Sequence, residues 1–549
     1  MTGRRRAALE AGVLLLLLAG LAARSLQRSQ AHFVPMFDEV AYLDQAREFS
    51  SRGVGATVAC YLRGECRDDN RHPLYSLLAA PLVDGSERDF PREKLLTLAC
   101  ALALVLVVYA FAWSSFGAET ALLSAGLAAL SFTLAFLAQD VLCDVLLAVF
   151  YVAALGVLLR WRDRLAGWLA FGALAGAAYL TKGTGHFLLL AAPVLTALRS
   201  RERNSSALME LGAVLAGFVA VAGFLLWRNV LVWGNPFHNV GNHLIWLDDW
   251  SSLWRRDAAG TFAQATAGSY FRSHTLGQAL GRLVHGLGVV SINLLETAGP
   301  GPTVSARPAG LVVVLLAGLG LRACWRQGRK AEVAAIAAPA AALSAALVWA
   351  AAADVQGTRF MLPIVASLLP AAVVGLREAL RLGGEEPSAV LHPRAVAGGL
   401  AASAALGLLF WAGGFSRDPR ALWALPPHWS ETSAWMSEHA RDKDFLLAED
   451  SYFSLWNVER DRRRAYPFES PDEELVRVRD ARGLDFVLLD ARAESYGRMA
   501  GRFAAFDEHG PLTFLGWSRC FHDSLTPSEF EVFCRPRPST ARGPAAPSR

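Results

Sequence analysis

Long apolar runs separated by short polar segments make up most of the first 416 residues. A helix needs about 20 residues to cross the hydrocarbon core of a bilayer, so the shorter runs must take in flanking residues. The pattern predicts a polytopic α-helical membrane protein with about eleven transmembrane helices. The runs lie at 11–23, 95–113, 120–138, 141–159, 165–181, 183–198, 211–227, 308–321, 333–353, 360–376 and 395–416.

Two long polar loops interrupt this pattern, at 25–93 and 232–307. The second loop contains an apolar stretch, 276–297, that is long enough to be a twelfth span. Its Arg282 and Glu296 are disfavoured in hydrocarbon, and a twelfth span would reverse the orientation of every later loop. We therefore predict that 276–297 is re-entrant or interfacial.

The composition changes after the last apolar run, and residues 417–535 have the pattern of a small α/β domain. About 110 residues is an ordinary domain size. The tail 536–549 is rich in Pro, Arg, Ser and Ala, which predicts disorder. In the domain, helix-like segments at 431–441, 471–482 and 495–506 accompany strand-like segments at 444–448, 485–490, 512–517 and 529–534.

The overall composition agrees with a membrane protein, since 53% of the 549 residues are hydrophobic and 19% are charged. The net charge of +4 is small, and the basic residues concentrate in short loops, which indicates topology and not nucleic-acid binding. Basic clusters recur in alternate loops, at Arg4–Arg6, 160–164, 199–203, 322–330 and 377–394.

The positive-inside rule then predicts a cytoplasmic N-terminus and an extracytoplasmic C-terminal domain. Run 11–23 is interpreted as an uncleaved anchor, because no small-x-small cleavage site follows it before Arg24. Both long polar loops face the outside in this topology.

The seven cysteines divide between the predicted spans and the predicted outer segments. Cys100, Cys143 and Cys324 lie in or at the ends of spans, where a thiol behaves as a small hydrophobe. Cys60 with Cys66, and Cys520 with Cys534, lie outside, where an oxidising compartment favours two disulfides.

An acidic pair, Asp38 and Glu39, follows the first span closely. Charge near the hydrocarbon core is energetically disfavoured, so charged residues at such positions usually have a function. We therefore interpret Asp38 as a catalytic base. The alternative is that Asp38 simply caps an amphipathic helix. Other polar candidates on the same predicted face are Tyr42, Arg71, His72, Tyr75, Asp144, Lys182 and Arg359.

Each of these candidates also has an ordinary structural interpretation. Lys182 and Arg359 could extend to the membrane interface, and Asp144 could pair with a basic neighbour or cap its helix. A divalent metal could bind His238, His243 and Asp248, although turn-rich loops often carry such residues without one. No ATP-binding GxxxxGK[ST] motif occurs, and no cofactor is required.

Five short motifs, in order along the chain, resemble the GT-C integral-membrane glycosyltransferases. The group they resemble contains the protein O-mannosyltransferases and the lipid A aminoarabinose transferase. The resemblance covers roughly residues 7–416. The motifs are Asp38-Glu39, Arg71-His72-Pro73-Leu74-Tyr75, Gln139-Asp140-Val141-Leu142-Cys143-Asp144, Leu180-Thr181-Lys182-Gly183 and Thr358-Arg359-Phe360-Met361-Leu362-Pro363.

This resemblance implies transfer of a monosaccharide from a polyprenyl-phosphate carrier to an acceptor hydroxyl outside the cytoplasm, with inversion, at a bacterial inner membrane. It implies that Asp38 is the base and Asp144 a second acid. One departure is Gln139, where an arginine is common in the family. The implied substrate-binding residues are Glu39, Tyr42, Arg71, His72, Tyr75, Lys182 and Arg359.

Two other classes of function are compatible with many spans. A transporter or flippase for a lipid-linked or polar substrate would also use many spans and buried charge, but it commonly has internal repeats, and no repeat is evident. A non-catalytic anchor for the C-terminal domain would leave Asp38, Glu39 and Lys182 unexplained.

Overall fold

The computed structural model divides the chain into two compact units. The described helices from residue 42 to 382 belong to the first unit and the described strands to the second, with which residues 38–41 also group. The residues described are 3–29, 38–66, 71–85, 88–199, 204–239, 241–248, 265–301, 303–351, 357–382, 398–400, 435, 438–439 and those of the five strands given below.

Seventeen α-helices have bounds in the described part of the chain. They are α1 (Gly3–Ser29), α2 (Asp38–Arg52), α3 (Val54–Leu62), α4 (Leu74–Ala79), α5 (Asp89–Phe116), α6 (Ala118–Leu130), α7 (Phe132–Leu137), α8 (Asp144–Arg160), α9 (Leu165–Thr181), α10 (Ala191–Arg199), α11 (Asn204–Trp233), α12 (Gly241–Leu244), α13 (Ala267–Ser273), α14 (Leu276–Ala298), α15 (Arg307–Arg326), α16 (Lys330–Ala351) and α17 (Leu362–Leu382). Short 3₁₀ helices lie at Ala80–Leu82, Gly183–Leu190, Thr303–Ala306 and Thr358–Met361.

The prediction of a polytopic helical membrane protein is confirmed. Within the described residues, six helices are long and apolar enough to cross a membrane: Ala8–Ser29, Asp89–Phe116, Ala207–Trp233, Arg307–Arg326, Lys330–Ala351 and Thr358–Arg381. Shorter apolar helices lie at Ala118–Leu130 and Leu165–Thr181. The count of eleven stays a prediction, since most of run 395–416 lies outside the described residues.

Two predicted runs have a different local structure. Run 120–138 breaks at Ser131, whose backbone leaves the helical region and whose hydroxyl accepts the Leu134 N–H at 3.2 Å, capping α7. Run 183–198 begins as a 3₁₀ helix before α10. Segment 276–297 lies in one uninterrupted helix, α14, and its interpretation as re-entrant or interfacial stays a prediction.

Glycines allow close contact between two pairs of long helices in the first unit. Gly172 of α9 lies against the Val214 backbone of α11, and Gly320 of α15 lies against the Ala371 backbone of α17. A Cβ atom at either glycine would collide with the facing carbonyl oxygen. Small residues at such contacts let helices in a membrane gain packing energy without a hydrophobic driving force.

Gly320→Ala should therefore destabilise the protein, although alanine favours a helix more than glycine does. The added methyl group has no space unless α15 and α17 separate, and overpacking of this kind typically costs about 1–3 kcal/mol. Thermal unfolding in detergent should show a lower Tm for this variant. Gly318→Ala on the same helix is the matched control, because a Cβ there meets nothing within 4 Å. Equal Tm values for the two variants would contradict the close-contact interpretation.

The second unit contains a mixed five-stranded sheet. Its strands are β1 (Phe445–Ala448), β2 (Leu484–Asp490), β3 (Thr513–Phe514), β4 (Trp517–His522) and β5 (Phe530–Cys534), in the order β1-β2-β5-β4-β3. The β1–β2 pair is parallel and the other pairs are antiparallel.

The predicted strands at 444–448, 485–490 and 529–534 are confirmed. The predicted strand at 512–517 contains β3, whereas β4, which begins at Trp517, was not anticipated. The predicted helices at 471–482 and 495–506 and the tail 536–549 lie outside the described residues, as does most of 431–441.

Candidate active site

An ion pair between Asp144 and Lys182 lies at one end of the α8–α9 hairpin. Both helices have 17 residues and the turn between them is short, so the start of α8 and the end of α9 meet at the same end. The Lys182 Nζ lies 2.5 Å from the Asp144 Oδ1. The Asp144 side chain is 2% exposed and that of Lys182 is 20% exposed. The Lys182 ammonium is thus held by a buried carboxylate. The position of Asp144 in the first turn of α8 also stabilises its negative charge.

The backbone after α9 aims Lys182 at this carboxylate. Lys182 is extended (φ −156°, ψ 139°) and its N–H donates to the Ala178 carbonyl at 2.9 Å, which ends the helix. Gly185 then lies so close to the Ala178 backbone that a Cβ atom could not fit. The glycine therefore allows the tight turn that follows the lysine.

The Phe360 ring contacts two cationic side chains, those of Lys182 and Arg359. The Lys182 Nζ is 4.1 Å from the ring centroid and the Arg359 guanidinium carbon is 5.1 Å from it. The Thr297 hydroxyl donates to the Thr358 carbonyl at 2.9 Å and attaches this 3₁₀ turn to α14. Two cations therefore share one aromatic ring, an arrangement that favours positive charge at this place.

Tyr42 of α2 forms a hydrogen bond with the residue that precedes α8. Its hydroxyl donates to the Cys143 thiol at 2.9 Å, and its ring contacts Tyr75 edge-on at 5.3 Å. The Arg71 guanidinium carbon lies 5.7 Å from the Tyr42 ring centroid. Burial raises the pKa of Tyr42 well above its usual range, with Cys143 and Asp144 acting in the same direction. The phenol is therefore a neutral donor.

Tyr75 and His72, two further predicted site residues, are both buried. The Tyr75 hydroxyl lies 2.8 Å from the Thr97 hydroxyl. The His72 ring is buried and contacts the Tyr179 ring edge-on at 4.8 Å. Its Nε2 is 3.1 Å from the Asn239 side-chain nitrogen. Burial lowers the pKa of His72 to about 3, so this histidine is uncharged at neutral pH.

Asp38 and Glu39 occupy the first turn of α2. Glu39 is buried and Asp38 is partly exposed. Carboxylates in a first turn interact favourably with the helix dipole, which is a structural role, and the catalytic role of Asp38 stays a prediction.

The structure thus brings together Tyr42, Arg71, Asp144, Lys182 and Arg359, all of which were predicted from sequence. It adds three contacts that sequence reasoning missed. Phe360 lies in one of the five motifs without an expected role, and the sequence predicts only that Cys143 packs as a small hydrophobe. Asn239 had no recognisable signal. Lys182 and Asp144 form an ion pair. This pair agrees with the structural interpretation of Asp144, in which the carboxylate pairs with a basic neighbour.

Two disulfides were predicted from the cysteine pattern. Cys60 and Cys66 form a disulfide, and the Arg228 guanidinium donates to the Cys66 carbonyl at 3.1 Å. Cys520 is also disulfide-bonded. Its strand β4 pairs with β5, which ends at Cys534.

The residues considered as metal ligands have other partners. The Asp248 carboxylate lies 3.0 Å from the His274 Nε2, and the His243 Nδ1 lies 3.0 Å from the Ala265 carbonyl. In the described ranges, no three His, Cys, Asp or Glu side chains come together as a metal site would need.

Three comparisons relate this architecture to known proteins. Residues 94–227 match the family described as dolichyl-phosphate-mannose-protein mannosyltransferase. No curated protein sequence matches the chain significantly. Among solved structures, ArnT from Cupriavidus metallidurans bound to undecaprenyl phosphate is 13% identical, with 97% of this chain and 98% of that chain covered and a TM-score of 0.55.

A second solved structure is the archaeal oligosaccharyltransferase AglB from Archaeoglobus fulgidus, in complex with an inhibitory peptide and a dolichol-phosphate. It is 13% identical, with 95% of this chain and 74% of that chain covered and a TM-score of 0.53. The predicted GT-C fold is therefore confirmed, and this multi-span membrane protein shares it with integral-membrane glycosyltransferases.

Proposed function

We propose that the protein transfers a monosaccharide from a polyprenyl-phosphate donor to a hydroxyl group of an extracytoplasmic acceptor, with inversion at the anomeric carbon. The observation that supports this most is the cationic cluster around the Lys182–Asp144 pair, 2.5 Å apart. The two solved structures bind undecaprenyl phosphate and dolichol-phosphate respectively. The family matched by residues 94–227 is named for a dolichyl-phosphate-linked sugar.

The donor phosphate would be met by Lys182, Arg71 and Arg359. A phosphate monoester gains negative charge as it leaves the sugar, and fixed cations in a site with little water stabilise that charge strongly. Tyr42 supplies a buried neutral hydroxyl beside the same charges, and Tyr75 supports its ring. His72 and Glu39 complete the proposed substrate-binding set.

Asp38 would act as the general base. As the acceptor oxygen bonds to the anomeric carbon, the bond from that carbon to the phosphate oxygen breaks. The acceptor proton passes to the Asp38 carboxylate, and the polyprenyl phosphate leaves with the bonding electrons. Asp144 would hold Lys182 and serve as the second acid of the site.

The proposed location is a bacterial inner membrane, with the site on the extracytoplasmic face. The alternating basic clusters support this orientation. The acceptor would then be an envelope lipid, glycan or protein. No cofactor has a role in this scheme.

Mass spectrometry of envelope lipids, glycans and proteins should test the proposed transfer directly. Cells that carry the gene should contain a glycosylated species that is absent both without the gene and with Asp38→Asn at equal protein level. A flippase would instead leave every glycoside present and change only its distribution across the membrane. The absence of any gene-dependent glycoside would overturn the proposal.

A further inference from the structure

We infer that Asn239 is a positioning residue that holds His72 as a neutral hydrogen-bond acceptor against the turn that carries Lys182. This inference rests on the proposed function, because Lys182 is the proposed phosphate ligand. Asn239 belongs to the loop after α11, 167 residues from His72 in the chain. Neither its residue type nor its neighbours in sequence indicate a link to the site.

The orientation of the Asn239 amide follows from its second partner. The Gly241 N–H donates to the Asn239 Oδ1 at 2.7 Å. The oxygen is thereby assigned, so the other end of the amide is the nitrogen, which is a donor only. This nitrogen lies 3.1 Å from the His72 Nε2. The Nε2 must therefore accept, and the single proton of the neutral ring lies on Nδ1.

The imidazole fills the space beside Gly183. A Cβ atom on Gly183 would lie 3.2 Å from the His72 Nε2, which is closer than ordinary contacts allow. On its other side the imidazole contacts the Tyr179 ring, and Tyr179 belongs to the last turn of α9. His72 thus packs against residues on both sides of Lys182, at the turn from which the lysine side chain extends.

The surroundings of His72 favour an uncharged imidazole, and the neutral Asn239 amide is a suitable partner for it. Burial lowers the pKa of His72 most, and Arg228, His186 and Lys182 act in the same direction, while a hydrogen bond with the Tyr179 backbone opposes them. A carboxylate in place of the Asn239 amide would oppose these effects, because an opposite charge favours the protonated ring. It would also place negative charge near the proposed phosphate site.

The loop that presents Asn239 is itself held in place. The buried Asn229 side chain of α11 donates to the Pro236 carbonyl at 3.0 Å and to the His238 carbonyl at 3.1 Å. The contact between Asn239 and His72 is therefore part of a fixed arrangement that joins α11 to the site. Arg228, near the same end of α11, donates to the Cys66 carbonyl and so also contacts the loop closed by the Cys60–Cys66 disulfide.

Binding of undecaprenyl phosphate to the purified full-length protein in detergent tests the functional part, with undecaprenol as the uncharged control ligand. Asn239→Leu removes the donor and should weaken binding of the phosphate about tenfold, equivalent to about 1.4 kcal/mol, without changing binding of undecaprenol. Asn242→Ala is the matched control, because Asn242 lies in the same region, its exposed side chain donates to the Phe237 carbonyl, and its backbone N–H bond to the Asn239 carbonyl is kept in the variant. It should bind both ligands as the wild type does.

Asn239→Asp provides a readout that a merely structural role would not change. Its carboxylate should raise the pKa of His72 from about 3 to between about 4 and 6. The ratio of the variant Kd to the wild-type Kd should therefore increase from pH 4 to pH 7 as the imidazolium is lost. Taking the ratio removes the titration of the phosphate itself, which both proteins share. A ratio that is constant with pH would overturn the inference.

Solid-state ¹⁵N NMR of histidine-labelled protein tests the link itself, with His72 assigned by its loss in His72→Gln. We expect an unprotonated Nε2 and a protonated Nδ1 in the wild type, and a protonated Nε2 in Asn239→Asp. The opposite wild-type tautomer would overturn the inference. A wild type that binds undecaprenol and undecaprenyl phosphate equally would overturn the proposed function, and the NMR result would then still decide the link between Asn239 and His72.

Discussion

Asp38→Asn should lower sugar transfer by about 10²- to 10⁴-fold, which is the usual contribution of a general base. Asparagine has nearly the same size and accepts hydrogen bonds, but it cannot take the proton of the acceptor hydroxyl. Binding of the donor should stay close to the wild-type value, because the proposed phosphate contacts are made by Lys182, Arg71 and Arg359. The measurement is single-turnover transfer alongside donor affinity, which separates the chemical step from binding.

Two controls distinguish this prediction from a capping role. Asparagine caps a helix about as well as aspartate does, so a cap interpretation predicts an active Asp38→Asn and a loss of about 0.5–2 kcal/mol of stability only for Asp38→Ala. Glu39→Gln is the second control. Glu39 points about 100° away on the helix, so its substitution should affect transfer less. A fully active Asp38→Asn protein would eliminate the proposed base.

The sequence was sufficient for the fold where apolar runs are long and uninterrupted. Run 165–181 coincides with α9, and run 141–159 differs from α8 only at its ends. Because the turn between these helices is short, the hairpin that joins Asp144 to Lys182 could be foreseen from spacing alone. The approach of one charge to the other to 2.5 Å could not, since it depends on side-chain conformation.

Breaks inside an apolar run were harder to predict, because hydropathy does not report backbone conformation. Ser131 is a polar residue of modest hydropathy, yet its hydroxyl caps a new helix and divides run 120–138. The 3₁₀ helix Gly183–Leu190 depends on the close approach of Gly185 to α9. The first feature is a local capping signal that hydropathy does not register, and the second accompanies a close backbone contact that a hydropathy pattern cannot show.

Long-range polar contacts were beyond the sequence for a related reason. Motifs identify residues whose neighbours in the chain are distinctive, and Lys182 and Arg359 have such neighbours. Asn239 does not, and its partner His72 is 167 residues away. Cys143 lies in a motif, but its thiol was expected only to pack, whereas in the structure it accepts the Tyr42 hydroxyl at 2.9 Å.

Removing the Lys182 charge should weaken binding of undecaprenyl phosphate by about 10- to 100-fold, because a hydrogen bond to a charged group contributes about 1.5–3 kcal/mol. The substitution has to treat both members of the ion pair. Asp144 is buried, and breaking a buried pair on one side costs about 3–5 kcal/mol, since the remaining charge has no partner. The combined variant Lys182→Met with Asp144→Asn leaves no such charge, and we expect its Tm to stay near the wild-type value.

Two single substitutions separate charge from shape and binding from chemistry. Lys182→Arg keeps the positive charge and should retain most of the affinity, because a point-like phosphate contact depends on charge more than on geometry. Asp144→Asn frees the ammonium from its counter-ion, so binding of undecaprenyl phosphate should be maintained or strengthened. If Asp144 is also the second acid, transfer by this variant should fall although binding does not. Wild-type affinity in the combined variant, with undecaprenol as the uncharged control, would instead assign Lys182 to a purely structural ion pair.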